Sequence, residues 1–299
     1  MSVLVLGTVA LDTVRTPAGA RKDMLGGSAA HFAMAARLFN KVNLVAAVGE
    51  DFPRRHIDLL RRRGIDLSSL MQLPDKSFRW EGKYSGDLNT AVTLRTQLGV
   101  LLSFKPKITQ RQKNINYVFL ANVDPDIQRD LLSQVRSPDL IALDSMNYWI
   151  KHKRKALLRI LKKVDIYVAN DQEARDLSGE SNLVRAAKRL RSLGPKMVLV
   201  KKGQHGVLFY SDRFILSLPA FPIAKVIDPT GAGDTFAGGF MGSLSQDKSI
   251  TAVSIKRALA LGTVAASFNI EGFGVERTAR LTIKDLKARL NRFKNCFSF

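Results

Sequence analysis

The feature that most constrains the fold is a repeated alternation of short apolar runs with longer helical segments. Runs rich in Val, Ile and Leu, such as residues 3–7, 43–49 and 140–144, are separated by stretches with the apolar spacing of helices. Strands that are apolar at nearly every position are covered on both faces, which is typical of parallel sheets with helical crossovers. The sequence therefore predicts an α/β fold with a doubly wound, mostly parallel sheet flanked by helices.

One stretch, residues 76–105, interrupts this alternation. It shows no helical period, and residues 78–84 and 98–104 have the aromatic and aliphatic composition of strands. We expect a small second sheet here, to which residues 13–25 contribute another strand or two. The predicted appendage is thus discontinuous, approximately 13–25 and 76–105, and belongs to a single domain spanning residues 1–299.

The composition indicates a globular chain with a basic surface. Of its 299 residues 45% are hydrophobic, enough to fill a large core, and the formal net charge is +21. The single cysteine, Cys296, excludes an internal disulfide and a multi-cysteine zinc site. Residues 1–7 have no basic run before their short apolar segment, so we expect neither an export signal nor a membrane anchor. These features favour a cytoplasmic protein.

The glycine-rich segment 228–240, DPTGAGDTFAGGF, carries the strongest chemical signal. Gly231 and Gly233 let the backbone turn tightly and direct N–H groups at one point, at the positive end of a helix. Asp234 lies in the first helical turn, where its carboxylate could accept a proton from a hydroxyl beside a bound phosphate. A capped helix with Asp234 as the cap is the simpler interpretation. An anion site together with a base indicates phosphoryl transfer to an alcohol.

This segment resembles, nearly residue for residue, the C-terminal signature of the ribokinase family of carbohydrate kinases, also called the PfkB family. The resemblance covers nearly the whole chain and implies a ribokinase-like fold whose small β-sheet closes as a lid. It also implies ATP-dependent phosphorylation of a carbohydrate hydroxyl, with Asp234 as the general base. The amides of Gly231, Ala232 and Gly233 would form the anion hole. ATP and Mg²⁺ are the implied cofactors, and activation by a monovalent cation is left open.

The N-terminal part resembles the sugar-binding signature of the same family. Asp12 follows the first strand, and Gly26 and Gly27 precede an alanine-rich helix. The resemblance implies that Asp12 binds acceptor hydroxyls and that the glycines let the backbone approach the sugar. Ser28 and His31 stand where ribokinases usually have Lys and Asn, so we expect an acceptor other than ribose. His31 is either a hydrogen-bonding replacement or a buried helix histidine.

Two later segments resemble the nucleotide side of the family. Asn170 and Glu173 begin a helix, either as a cap with a glutamate three residues on or as the motif that organises Mg²⁺ through water. Residues 200–206 resemble the strand and turn that lie against the nucleotide, although many relatives carry Thr where Lys201 stands. The implied cofactor-binding residues are Asn170, Glu173, Lys201, Gly203, Gly206 and Thr230.

The expected lid leaves two roles open for Trp80, which either stacks on a sugar ring or fills the core of the small sheet. A homodimer formed through the lid is a further expectation. Nucleoside kinases of the same family share every catalytic feature, so the small-molecule acceptor is open between a sugar and a nucleoside.

The basic runs, such as residues 61–63 and 151–155, are short and have no interleaved aromatics, so we interpret them as solvated helix surfaces. An inactive nucleic-acid-binding relative is the alternative from another functional class.

Overall fold

A computed structural model of the chain describes residues 1–86, 88–247 and 249–296. Within these ranges there are thirteen strands and eleven α-helices. The strands are β1 Ser2–Leu6, β2 Ala10–Thr16, β3 Gly19–Gly26, β4 Lys41–Gly49, β5 Asp66–Leu73, β6 Arg79–Tyr84, β7 Ala91–Gln97, β8 Tyr117–Leu120, β9 Leu140–Asp144, β10 Ile166–Asn170, β11 Met197–Lys201, β12 Val207–Ser211 and β13 Ile215–Leu218. The helices are α1 Ser28–Ala36, α2 Arg54–Arg62, α3 Pro125–Leu132, α4 Asn147–His152, α5 Arg154–Leu161, α6 Asp171–Ser178, α7 Leu183–Arg191, α8 Ala232–Leu244, α9 Ala252–Asn269, α10 Glu276–Arg280 and α11 Ile283–Asn295.

The large sheet has nine strands in the order β13-β12-β11-β10-β9-β8-β1-β4-β5. The seven strands from β11 to β5 pair in parallel, and β12 and β13 add an antiparallel edge. The predicted doubly wound, mostly parallel sheet is therefore confirmed. Ligands of such sheets bind beyond the carboxyl ends of the strands, which makes the ends of β9, β10 and β11 the place to look for chemistry.

The core lies on both faces of this sheet because the central strands are apolar at successive positions. Val3 and Val5 of β1 face one buried cluster, in which Phe32 of α1 stacks on Phe119 with ring centroids 4.4 Å apart. Leu4 and the alternate residues of β1 face the second cluster, which α3, α5 and α7 cover. Burial on two sides holds the strand ends, and hence any site built on them, in fixed positions.

The small sheet has the order β3-β2-β6-β7, and β2 and β6 pair in parallel at its centre. The predicted strand over residues 98–104 is wrong: Gly99–Leu102 forms a 3₁₀ turn, and the fourth strand is β7. The reason is burial, since Val100 is fully buried and its amide donates to the Lys76 carbonyl at 2.9 Å. The predicted segment 76–105 includes Asp87, which lies outside the described residues.

Helix α8, which carries Asp234, is wedged between α1 and α9. A Cβ on Gly238 would lie 2.2 Å from the Phe32 carbonyl oxygen, and one on Gly239 would lie 3.0 Å from Ala265 Cβ. These glycines therefore let the backbones approach closely, which no other residue allows without displacing a helix. The close packing at Gly238 and Gly239 therefore fixes the position of the N-terminal end of α8, where Gly231 to Asp234 lie.

Candidate active site

The glycine turn before α8 forms a cradle of backbone amides. Gly231 caps the helix with a φ of 72°, a left-handed conformation that favours glycine, and a Cβ there would lie 2.3 Å from Cγ of His31. The Ala232 amide donates to the Pro229 carbonyl at 3.1 Å. Among the described residues, the amides of Gly231 and Gly233 have no acceptor. Two of the three predicted anion-hole amides are thus available to a ligand, and the third stabilises the turn.

Asp234 lies in the first turn of α8 and is half-buried. Burial raises the pKa of its carboxyl to about 7, and the nearby Asp144 carboxylate adds to the increase while Lys201 opposes it. A carboxyl with a pKa near neutrality is half ionised at physiological pH. That is the range in which general-base catalysis is most effective.

Three neighbouring parallel strands end beside this cradle with a polar residue each. β9 ends at Asp144, β10 at Asn170 and β11 at Lys201. The Lys201 ammonium lies 2.6 Å from a carboxylate oxygen of Asp144, and Nζ is 3.1 Å from the position that a Cβ on Gly233 would take. Burial disfavours the ammonium, but Asp144 and Glu173 outweigh it and raise the pKa of Lys201. Lys201 is therefore a fixed positive charge at the anion cradle.

Asn170 and Glu173 form a complete capping box at the start of α6. The Asn170 side-chain oxygen accepts the Glu173 amide at 2.8 Å, and Oε2 of Glu173 accepts the Asn170 amide at 2.7 Å. Glu173 is buried, and burial, together with Asp144, raises the pKa of its carboxyl. Its Oε1 has no hydrogen-bond partner among the described residues. The cap and a ligand contact are thus compatible, because they use different oxygens.

The donor set suits Mg²⁺ better than a fully protein-enclosed metal. Within the described ranges, no three His, Cys, Asp or Glu side chains are grouped closely enough to enclose an ion. Mg²⁺ prefers oxygen ligands, keeps several waters and is commonly held by one or two carboxylates plus substrate phosphates. Glu173, with a free carboxylate oxygen in a buried position beside the cradle, fits that requirement.

A cavity of about 460 Å³ opens beside the cradle between β11, the segment after β13, and α9. It holds five of the predicted residues together, namely Lys201, Gly203, Gly206, Ala232 and Gly233. The opposite wall is mainly apolar and comprises Ala220, Phe221, Pro222, Ile223, Val226, Phe236, Ala266 and Ile270. A slot that is apolar at one end and carries a lysine and bare amides at the other has the shape of a nucleotide site.

The predicted acceptor residues Asp12, Gly26 and Gly27 meet at the edge of the small sheet. Oδ2 of Asp12 lies 1.9 Å from the position that a Cβ on Gly26 would take. Burial and the Asp228 carboxylate raise the pKa of Asp12 to about 7, and the Gly27 amide partly offsets this. Gly26 thus makes room for the Asp12 carboxylate itself, whereas a Cβ on Gly27 would lie 2.4 Å from the Thr8 carbonyl oxygen.

His31 is almost completely buried and lies behind the cradle. Its Nδ1 is 3.1 Å from the side-chain oxygen of Asn269, whose Nδ2 donates to the Thr230 carbonyl at 2.7 Å. Because that oxygen can only accept, Nδ1 carries the proton and Nε2 has a lone pair without a partner. Burial lowers the pKa of His31, so the ring is neutral. The ring packs against Gly231 and so supports the cradle.

Two side chains of β6 in the small sheet, Trp80 and Tyr84, are held by specific contacts. The Trp80 indole lies across Gly82, where a Cβ would be 2.1 Å from the ring, and its Nε1 donates to Thr93 at 3.2 Å. The Tyr84 hydroxyl lies 3.4 Å from Oγ1 of Thr230, and burial, with contributions from nearby carboxylates, raises the pKa of Tyr84 to about 12. The lid is thereby joined to the loop before α8.

Comparisons with known proteins identify the family of the chain. The model of the pfkB family of carbohydrate kinases matches residues 4–280. The chain belongs to this family. A cytidine kinase of Thermococcus kodakarensis is 32% identical over 254 residues, which are 83% of this chain and 90% of that protein. A ribokinase of Lactococcus lactis is 26% identical over 273 residues, 90% of this chain and 86% of the relative.

Solved structures of the family share the fold. An E. coli protein described as a ribokinase II, solved with ATP and Mg²⁺, has a TM-score of 0.81 at 20% identity, and the match covers 97% of this chain and 99% of that one. The family is one of ATP-dependent phosphotransferases that act on sugars or nucleosides, as the glycine-rich segment indicates. None of the helices in the described ranges has the length and apolar run of a transmembrane span.

Sequence reasoning missed three residues of this pfkB-family site: Asp144, Tyr84 and Asn269. Asp144 had a usable signal, because it is the last residue of an apolar strand, and the next two strands along the sheet, β10 and β11, end at Asn170 and Lys201. Tyr84 and Asn269 had none. They reach the centre only through the pairing of the small sheet and the packing of α9 against α8.

Proposed function

We propose that this kinase transfers the γ-phosphoryl group of ATP to a hydroxyl of a nucleoside or a small sugar, with Asp234 as the general base. The observation that carries the proposal is the position of Asp234 in the first turn of α8, next to the unpaired amides of Gly231 and Gly233. At this helix end, the base can take the proton of the acceptor hydroxyl, and the amides can bind the phosphoryl group that is transferred to it.

In the reaction, the acceptor oxygen forms a bond to the γ-phosphorus. The bond between that phosphorus and the oxygen bridging to the β-phosphate breaks, and ADP leaves with the electron pair. Asp234 takes the hydroxyl proton, and the amides of Gly231 and Gly233 donate hydrogen bonds to the transferring group. A carboxyl pKa near 7 lets Asp234 accept the proton and release it again at physiological pH.

The cavity beside the cradle would hold ATP, with the adenine against the apolar wall formed by Phe221 and Ala266 and the phosphates toward Lys201 and Gly233. Gly203, Gly206 and Thr230 complete the proposed nucleotide contacts. Glu173 and Asn170 would hold Mg²⁺ through water, using the free oxygen of Glu173. Bound Mg²⁺ would neutralise charge on the phosphates.

The acceptor would lie between the Asp12 carboxylate and the inner face of the lid, with a ring stacked on Trp80. Asp12 and Trp80 are partners in the β2–β6 register, so their side chains share a face of the small sheet. Closure of the lid would exclude water and thereby suppress ATP hydrolysis. Of the two interpretations of His31, its burial favours the packing role, so we assign it to the support of Gly231.

A nucleoside is the acceptor that we favour. The T. kodakarensis relative is a cytidine kinase, and a flat indole held over Gly82 suits a planar ring. Ser28 has no free donor for a sugar, because its hydroxyl donates to the Asn122 carbonyl at 3.1 Å and accepts the Thr8 amide at 3.1 Å. A free pentose is the second candidate, since the L. lactis relative is a ribokinase.

A panel of acceptors with ATP and Mg²⁺ tests this proposal. Cytidine, adenosine, inosine, ribose and fructose are each incubated with the protein, with and without K⁺, and products are identified by mass spectrometry. We expect a nucleoside monophosphate, with ribose phosphate as the result that favours the second candidate. If no acceptor gains a phosphate while the protein retains RNA on filters, the inactive nucleic-acid-binding alternative is correct and the kinase proposal is wrong.

Two further properties belong to the same proposal. A homodimer through the lid is supported by Val92 and Leu94 of the edge strand β7, whose exposed fractions are 56% and 49%. Sedimentation of the parent and of Leu94→Lys tests it, since a monomeric parent would contradict it. A cytoplasmic location, where ATP is available, is also part of the proposal, and fractionation of cells expressing the protein at native level would check it.

A further inference from the structure

The ion pair of Lys201 and Asp144 stands out among the charges of the site. The two side chains are 18% and 3% exposed, and Nζ lies 2.6 Å from Oδ2 of Asp144. A buried ion pair contributes little net stability, because desolvation offsets the attraction between the charges. Stability alone therefore gives little reason to place one at the mouth of a cavity, and a function for the ammonium is the better explanation.

The position of the ammonium supports such a function. Lys201 is the last residue of β11, lines the cavity of about 460 Å³, and lies against Gly233 of the cradle. A lysine ammonium has three N–H donors. Asp144 accepts one of them, and no other acceptor for Nζ is found in the described ranges. Two donors thus remain for a ligand that enters the cradle.

The surrounding charges make this lysine necessary. Three carboxylates face the cradle from separate elements: Asp144 from β9, Glu173 from α6 and Asp234 from α8. In their ionised forms these groups repel an entering polyphosphate. Lys201 is the cation that interacts with each of these carboxylates, so it determines the local electrostatic balance.

We propose that Lys201 contacts the phosphates of ATP and the transferring phosphoryl group, and that Asp144 is a positioning residue that holds the ammonium at the cradle. The inference rests on the proposed function and deepens it. Lys201 forms and breaks no covalent bond. It stabilises the charge on the phosphoryl oxygens while Asp234 takes the proton, in addition to the amides of Gly231 and Gly233.

Four variants test the role of Lys201 and its link to Asp144: Lys201→Met, Lys201→Arg, Asp144→Asn and the double variant. Lys202→Met is the matched control, because Lys202 is the next residue and does not line the cavity. We expect Lys201→Met to lower kcat/KM for ATP by about 100- to 1,000-fold, the range for removing one preorganised donor. Lys201→Arg should recover part of this loss, and the control should match the parent.

The double variant separates positioning from direct contact. If Asp144 acts only through Lys201, Asp144→Asn lowers kcat in the parent but causes no further loss in the Lys201→Met background. An equal loss in both backgrounds, with a raised Mg²⁺ requirement, would overturn the positioning role and make Asp144 a direct ligand of the metal. Thermal melts establish that each variant is folded.

The two proposals fail in distinguishable ways. A parent protein without phosphotransfer to any acceptor refutes the proposed function. An active parent whose Lys201→Met variant has the same kcat and the same KM for ATP refutes the role of Lys201 and leaves the function intact. Binding of a non-hydrolysable ATP analogue gives an independent readout, in which Lys201→Met should bind more weakly than Lys202→Met.

Discussion

The phosphate end of the site and its lid end are built in different ways. At the phosphate end, backbone amides of one turn and the last residues of three parallel strands converge, and both faces of those strands are buried. At the lid end, Asp12, Trp80 and Tyr84 come from two segments that are distant in sequence and meet through the pairing of β2 with β6. The first end depends on the core, whereas the second depends on a half-exposed sheet.

This difference matches the tasks of the two ends. Stabilising a transferring phosphoryl group requires donors fixed to within a fraction of an ångström, and buried strand ends supply that rigidity. Binding an acceptor and releasing its product requires a surface that opens, and half-exposed elements are suited to this. We therefore expect substitutions at the phosphate end to lower turnover, and substitutions at the lid end to lower acceptor affinity.

The largest effect is expected for Asp234→Asn at the phosphate end. The amide keeps the size of the side chain but cannot take a proton, so turnover should fall by about two to four orders of magnitude. The affinity for an ATP analogue and the melting temperature should stay close to those of the parent. Turnover near the parent rate would show that another group is the base.

At the lid end, Asp12→Ala should weaken acceptor binding and spare nucleotide binding. The hydroxyls of the acceptor that donate hydrogen bonds to Asp12 would be left unpaired. This should cost about 1–3 kcal/mol of binding free energy, or roughly 5- to 150-fold in affinity. Calorimetric titrations with the acceptor and with an ATP analogue measure both effects. Equal losses for the two ligands would place Asp12 outside the acceptor site.

The two ends should also be visible in the pH dependence. Burial raises the pKa values of both Asp234 and Asp12 to about 7. Each must be ionised to act, so kcat/KM for the acceptor should fall as pH decreases through 7, by about tenfold per pH unit for each group. Asp12→Asn should make this acid limb shallower. A profile that stays flat down to pH 5 would contradict both assignments.

A smaller effect is expected for Glu173→Gln. Glutamine at this position can still bond the Asn170 amide, so the capping box persists and only the charge is lost. Half-maximal activity should therefore need severalfold more Mg²⁺, and excess Mg²⁺ should restore most of the rate. If the magnesium curves of the variant and the parent overlay, Glu173 serves the helix cap alone.

The same division explains what could be predicted from the sequence. The large sheet and the cradle follow from local patterns, because apolar runs define strands and Gly231 to Asp234 are contiguous. The lid was harder to predict. Residues 98–104 have an apolar composition because Val100 is buried in the main core, but they do not form a strand. Asn269 could not be found at all. Its bonds to His31 and Thr230 arise from helix packing, which leaves no local pattern in the chain.

The central claim is that the phosphoryl group is transferred between the Gly231 and Gly233 amides and the Asp234 carboxylate. A crystal structure with MgADP, aluminium fluoride as the phosphoryl mimic and an accepted nucleoside or sugar tests it directly. The account predicts that the fluoride ligands accept bonds from both amides and that the acceptor hydroxyl lies between the aluminium and Asp234. A mimic bound away from the cradle, or an acceptor hydroxyl out of hydrogen-bond reach of Asp234, would contradict it.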